Sequence, residues 1–114
     1  SEVLTPAPDQ EKVDPARRFI DQIKTANDAG IQMLLRAADE DDLLVLLKHA
    51  ESDAVLLEKF YGNMSERSHK IFAEDLSFKF KDKVTPAQVS AAVERLIIAA
   101  RTLEENGTLV FGAD

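Results

Sequence analysis

Thr85-Pro86-Ala87-Gln88-Val89-Ser90-Ala91-Ala92-Val93-Glu94-Arg95-Leu96-Ile97-Ile98-Ala99-Ala100-Arg101-Thr102-Leu103-Glu104-Glu105-Asn106-Gly107 is the stretch whose reading decides the fold. Thr85 can cap a helix, and proline is tolerated at the first helical position. Gln88 stands three residues after the cap, which is the spacing of a capping box. From there Val89, Ala92, Val93, Leu96, Ile97, Ala100 and Leu103 recur with a 3.6-residue period and form one apolar stripe. Asn106-Gly107 ends the helix, because glycine accepts the left-handed backbone that follows a helix. A long helix with one apolar side needs other apolar surfaces to lie on.

Five more helices precede it. Asp14-Pro15 reads as a cap followed by proline, opening a helix to about Ala26 that buries Phe19, Ile20 and Ile23. The next helix is expected from about Asp28 to Ala38, with Ile31, Leu34 and Leu35 on one face. Gly30 falls in its first turn, where glycine costs less than mid-helix. The acidic run Asp39-Glu40-Asp41-Asp42 suits the positive start of a third helix, which continues through Leu43, Leu44 and Leu47 to about His49. Ser52-Asp53 opens a fourth helix whose apolar side carries Val55, Leu56, Phe60 and Met64, and Gly62-Asn63 closes it. Ser65 caps a fifth helix to about Phe78, followed by a lysine-rich loop over Lys79 to Lys83. Beyond the sixth helix, Leu109-Val110-Phe111 reads as a short extended tail that tucks back on the bundle. Short antiparallel helices of this kind can stack like armadillo-type repeats, although no clean sequence repeat is present.

Composition agrees with an all-α chain. Leu, Ala, Glu and Lys are plentiful while Gly and Pro number four each, and the apolar fraction of 45% is enough for one core. Residues 1–13 carry Pro6 and Pro8 without apolar periodicity and read as a flexible lead-in, leaving 14–114 as a single domain. The absence of cysteine excludes disulfides and thiolate chemistry. No apolar run approaches the ~18–20 residues of a membrane span, and Leu43 to Leu47 is far too short. The start lacks the regions of a signal peptide and an initiator Met, so a piece of a longer protein and a stand-alone chain both stay open. A net charge of −7 repels nucleic acid and anionic lipid, and neither is an expected partner.

The catalytic inventory is thin. His49 and His69 are the two histidines, and both read as structural or solvated. His69 and Glu74 lie five apart on one helix, too far round it to converge on a metal, so no metal or cofactor is expected. No phosphate-binding loop, dinucleotide fingerprint or nucleophile motif is present, and the chain is expected not to be an enzyme. What remains is the fifth helix. Arg67, Lys70, Glu74 and Ser77 project to one side, Ile71, Phe72 and Leu76 toward the other, with Asp75 at the border. The plain reading is a solvated helix surface supported by a Lys70–Glu74 pair of ~0.2–0.5 kcal/mol.

Several stretches in order resemble the C-terminal domain of the FliG family of flagellar rotor proteins. They are Ile31-Gln32-Met33-Leu34-Leu35-Arg36, Leu43-Leu44-Val45-Leu46-Leu47-Lys48, Phe60-Tyr61-Gly62-Asn63-Met64-Ser65-Glu66-Arg67, Glu74-Asp75-Leu76 and Arg101-Thr102-Leu103-Glu104-Glu105-Asn106-Gly107. The turn at Asn63 to Arg67, with an acidic pair one helix-length later, is the most specific of them.

The resemblance implies six short helices in an armadillo-like, right-handed stack. It also implies a rotor component of the flagellar motor at the cytoplasmic face of the inner membrane. The stator-facing charges would be Lys48, Arg67, Glu74 and Asp75, with Lys83 matched only across a gap. The implied partners are the cytoplasmic loop of the stator protein MotA and, in a full-length setting, FliM and neighbouring FliG subunits. Three departures accompany the match. The segment between Lys48 and Phe60 is longer than in the family, the Gly-Pro-Val-Arg turn is replaced by Phe78 to Lys83, and the Met-Phe-x-Phe hinge is reduced to Arg17-Arg18-Phe19-Ile20. The alternatives are an adaptor module of the same fold, binding through the fifth helix or the Phe78/Phe80 loop, and a small hydrolase using Glu74 and Asp75.

Overall fold

The computed structural model describes residues 14–80 and 82–112, so the lead-in expected over 1–13 lies outside the described residues. Those described residues form six α-helices and no strand: α1 Pro15–Ile23, α2 Asp28–Ala37, α3 Glu40–His49, α4 Ala54–Tyr61, α5 Glu66–Lys79 and α6 Pro86–Glu105. Most helix starts are fixed by the side chains that the sequence marks as caps. Asp14 accepts from the Ala16 amide at 3.1 Å, Asp39 from Asp41 at 2.8 Å, Asp53 from Leu56 at 3.1 Å and Ser65 from Ser68 at 3.0 Å. The capping box of α6 is complete: Gln88 N–H donates to Thr85 Oγ1, and Thr85 N–H donates to Gln88 Oε1. Gly107 adopts a φ of +83°, the left-handed turn that stops α6.

α1, α2 and α3 pack on α6, while α5 lies on α3 and α4 on α2. The stripe on α6 is buried at Val89, Ala92, Val93, Leu96, Ala100 and Leu103, with Ile97 half-buried. Because α3 is held between α6 and α5, the whole run Leu43-Leu44-Val45-Leu46-Leu47 is buried rather than three positions of it. Phe60, Leu56, Ile31, Leu34 and Ile23 complete the centre.

Three expectations are corrected. α1 stops at Ile23 instead of Ala26, since the Thr25 and Ala26 amides turn back to the Gln22 and Ile23 carbonyls in a tight turn. Val55, expected on the apolar side of α4, is 62% exposed, because α4 sits at the edge of the stack and packs only one side on α2. The acidic run also does more than cap. Asp42 is the buried charged residue among those described, and the Arg95 guanidinium on α6 grips it at 2.9 Å through both Nε and a terminal nitrogen. That forked ion pair joins α3 to α6 and satisfies a carboxylate that would otherwise be buried alone.

The C-terminal tail does fold back. Leu109 is buried, and Asn27 bonds it on both sides, donating from Nδ2 to the Thr108 carbonyl and accepting from the Val110 amide at Oδ1. The Asn27 amide also donates to the Val110 carbonyl.

One cap gives a pH signature. Asp53 accepts from the Lys24 ammonium as well as from the Leu56 amide, and Lys24 foremost holds its carboxyl below the ordinary value. A depressed folded pKa means a contribution fully present above the unfolded value and lost as pH falls through the folded one. The stability difference between the native chain and Asp53→Asn is therefore expected to shrink on acidification below the ordinary carboxylate range, as read by denaturant melts across pH. A difference constant down to the lowest folded pH would contradict this role.

Candidate functional site: the charged face of the fifth helix

α5 differs from the other helices in having no fully buried residue. Phe72 and Leu76 are half-buried and pack against the core, and the remaining hold comes from its two ends. At the start, the turn Gly62 to Ser65 is fastened to α2. Asn63 donates from Nδ2 to the Lys59 carbonyl at 2.8 Å and to Asp28 at 3.3 Å, and its Oδ1 accepts from Gln32 at 3.1 Å. Met64 is half-buried against the core, and Ser65 then caps α5. The His69 ring stacks on Tyr61 with centroids 4.1 Å apart, which ties α5 back to α4. At the far end, Lys79 Nζ donates to Asp41 Oδ1 at 3.2 Å, joining α5 to the start of α3. Asp41 foremost, then Asp75 and Glu40, hold the Lys79 ammonium above its ordinary pKa. Each device is local and modest. Together they fix the direction in which α5 presents its outer side.

Of the five charges expected to act together, the structure places Arg67, Glu74 and Asp75 along α5, with Arg67 and Glu74 exposed and Asp75 half-buried. Glu74 is the more exposed of the two carboxylates. Lys48 stands apart, in the last turn of α3. Its side chain is only 15% exposed and closes on Glu51 at 3.1 Å. Lys83 is exposed in the loop before α6, and no ion pair among the described residues ties it to α5. The expected Lys70–Glu74 pair is likewise absent among the described residues.

The apolar side of α5 is also redrawn. Phe72 and Leu76 face inward as expected, whereas Ile71 is 43% exposed and Phe78 is 76% exposed. Projected at about 100° per residue, Arg67, Ile71, Glu74 and Phe78 fall within about 60° of one another. The outer face is therefore charged and apolar at once.

No group of three His, Cys, Asp or Glu side chains able to hold a metal is found among the described residues. None of the described helices is long and apolar enough to cross a membrane.

These features define the class as a small all-α domain built as a helical stack around one central helix, with a charged helix on its outer layer. The particular family follows from the match of residues 10–111 to the FliG C-terminal domain, and the chain belongs to that family. It is 35% identical over 92 residues to the flagellar motor switch protein FliG of Pseudomonas aeruginosa, covering 81% of this chain and 26% of the relative. The FliG of Bacillus subtilis is 33% identical over 104 residues, covering 90% of this chain and 30% of that protein. The chain thus spans between a quarter and a third of the length of these relatives. A crystal structure of a FliG fragment from Helicobacter pylori superposes with a TM-score of 0.70 at 28% identity, covering 79% of this chain and 38% of that one.

Proposed function

We propose that this chain is the stator-facing rotor domain of a flagellar motor, and that the outer face of α5 transmits torque by contact with the cytoplasmic loop of the stator protein MotA. The observation that carries the reading is the placement of Arg67 and Glu74. Both are exposed, lie on one side of a single helix, and are held in position from both ends of that helix. Membership of the FliG family supports the assignment, as does the name of its relatives, flagellar motor switch protein.

The physics suits a contact that must form and break repeatedly. Exposed ion pairs contribute ~0–1 kcal/mol each, so a stator engages and releases without being trapped. Charges of both signs along one helix also set register, because like charges are opposed in any misaligned encounter. Arg67, Glu74 and Asp75 are the principal charges in this reading. Lys48, held on Glu51, and Lys83, on the neighbouring loop, are secondary. The role is mechanical rather than enzymatic. In a full-length setting the domain sits in the rotor ring at the cytoplasmic face of the inner membrane, beside FliM and neighbouring FliG subunits.

The test is charge reversal with flagella still assembled. Arg67→Glu and Glu74→Arg are expected to reduce swimming severalfold while filament number and the folded state stay unchanged. Normal swimming in the single and the double reversals would remove α5 from the torque contact and favour an adaptor role for the same fold.

A further inference from the structure

The charged face of α5 contains two apolar side chains that its own fold leaves uncovered. Phe78 is 76% exposed and Ile71 43% exposed, yet they alternate with the charges in one ordered row. Reading along the helix, Arg67 and Lys70 are followed by Ile71, then Glu74 and Asp75, then Phe78. Phe78 stands seven positions after Ile71, so the two lie on the same side about 10 Å apart. Any partner helix laid along the charges must also cover both apolar groups.

We infer that Ile71 and Phe78 are apolar anchors of the α5 contact, and that the partner is a helical segment of the stator loop with complementary chemistry. This rests on the stator-facing reading above. The segment carries an acidic side chain toward Arg67, an apolar side chain on Ile71, a basic side chain toward Glu74, and an apolar side chain on Phe78. Successive features recur every three or four residues, because only that spacing keeps them on one face of the partner helix.

The two kinds of contact divide the work. Charges at the edge of a contact steer approach and set register, and so act on the association rate and its salt dependence. Buried apolar anchors act on the dissociation rate, where affinity differences between related complexes mostly lie. Exposed ion pairs alone add little to the lifetime of a contact at physiological salt, where the screening length is about 8 Å. Ile71 and Phe78 give the contact a lifetime.

The experiment measures association and dissociation rates between the 114-residue chain and the purified cytoplasmic loop of the stator subunit from the same organism, at low and high salt. Phe78→Ser and the Ile71→Ser/Phe78→Ser pair are expected to raise the dissociation rate about tenfold, with the association rate little changed. Phe78→Leu should keep most of the lifetime. Arg67→Glu should instead slow association, and most strongly at low salt. Because Phe78 is so exposed, Phe78→Ser should melt like the native chain, which separates lost contact from lost folding. If dissociation is unchanged in both serine variants while Arg67→Glu still slows association, the anchors are overturned and the stator-facing reading stands. If neither the charge nor the serine variants alter binding, that reading falls, and the anchors fall with it.

Discussion

Phe60→Ala is expected to lower the free energy of unfolding by about 3–5 kcal/mol, measured by urea titration of the 114-residue chain. Phe60 has no exposed surface, and it stands near the end of α4, one residue before Tyr61. Its removal takes away burial and leaves a cavity that surrounding side chains can fill only in part. Domains of this size are stable by about 5–15 kcal/mol, so the loss is a large share of the whole. The functional consequence is specific as well. α4 carries Tyr61, which stacks on His69, and leads into the Asn63 turn that fastens the start of α5 to α2. Since α5 has no fully buried residue of its own, loosening α4 releases the helix that bears the charged face. A loss of less than about 1 kcal/mol would contradict the central place of Phe60 in the core.

Gly30→Ala is expected to destabilise by about 1–3 kcal/mol and to free the C-terminal tail. A methyl group at Gly30 would stand 2.7 Å from the Leu109 Cα and 2.5 Å from Asn27 Oδ1. Both neighbours belong to the latch between the start of α2 and the tail, and the Leu109 side of the contact is backbone, which cannot rotate away. Replacing glycine by alanine inside a helix ordinarily stabilises it by up to about 1 kcal/mol, so the sign of the effect separates the two explanations. Hydrogen exchange at the Val110 amide, which donates to Asn27, reports the tail directly. A more stable Gly30→Ala chain with unchanged protection at Val110 would show that the tail does not depend on this close approach.

Gly30 also shows where reading the residues stops. Its position in the first turn of a helix is visible from periodicity, and the mild penalty of glycine there is a local property. The reason glycine is needed is Leu109, 79 positions away in the chain, and nothing local to either residue reports it. The same holds for Asp42 and Arg95. Beside Asp39, Glu40 and Asp41, Asp42 reads as one more charge at the start of a helix, and Arg95 lies off the apolar stripe of α6. Only packing α3 against α6 brings them together. Caps, stops and apolar stripes were legible because each is settled within a turn or two of helix, by side-chain reach and by the 3.6-residue period.

The site divides in the same way. Projection puts Arg67 and Glu74 on one side of α5, and both are exposed there. Projection puts Ile71 toward the inner side with Phe72 and Leu76, yet it stands only about 40° from Arg67, and the packed structure leaves it exposed. The family resemblance implies Lys48 as a stator-facing charge, and in the structure Glu51, one turn on, partners it. The i, i+3 spacing of the two was present in the chain and would have signalled the pair.

Reciprocal charge exchange between rotor and stator reports on the outer face of α5 itself. Arg67→Glu is made first, and swimming speed is recorded with flagella counted and intact. An acidic residue of the stator loop is then replaced by a basic one in the same cells. If the outer face of α5 is the torque contact, the first change slows swimming and at least one reversal in the loop restores it, because the ion pair is re-formed with its polarity exchanged. Swimming untouched by Arg67→Glu, or slowed equally whatever charge the loop carries, would contradict it.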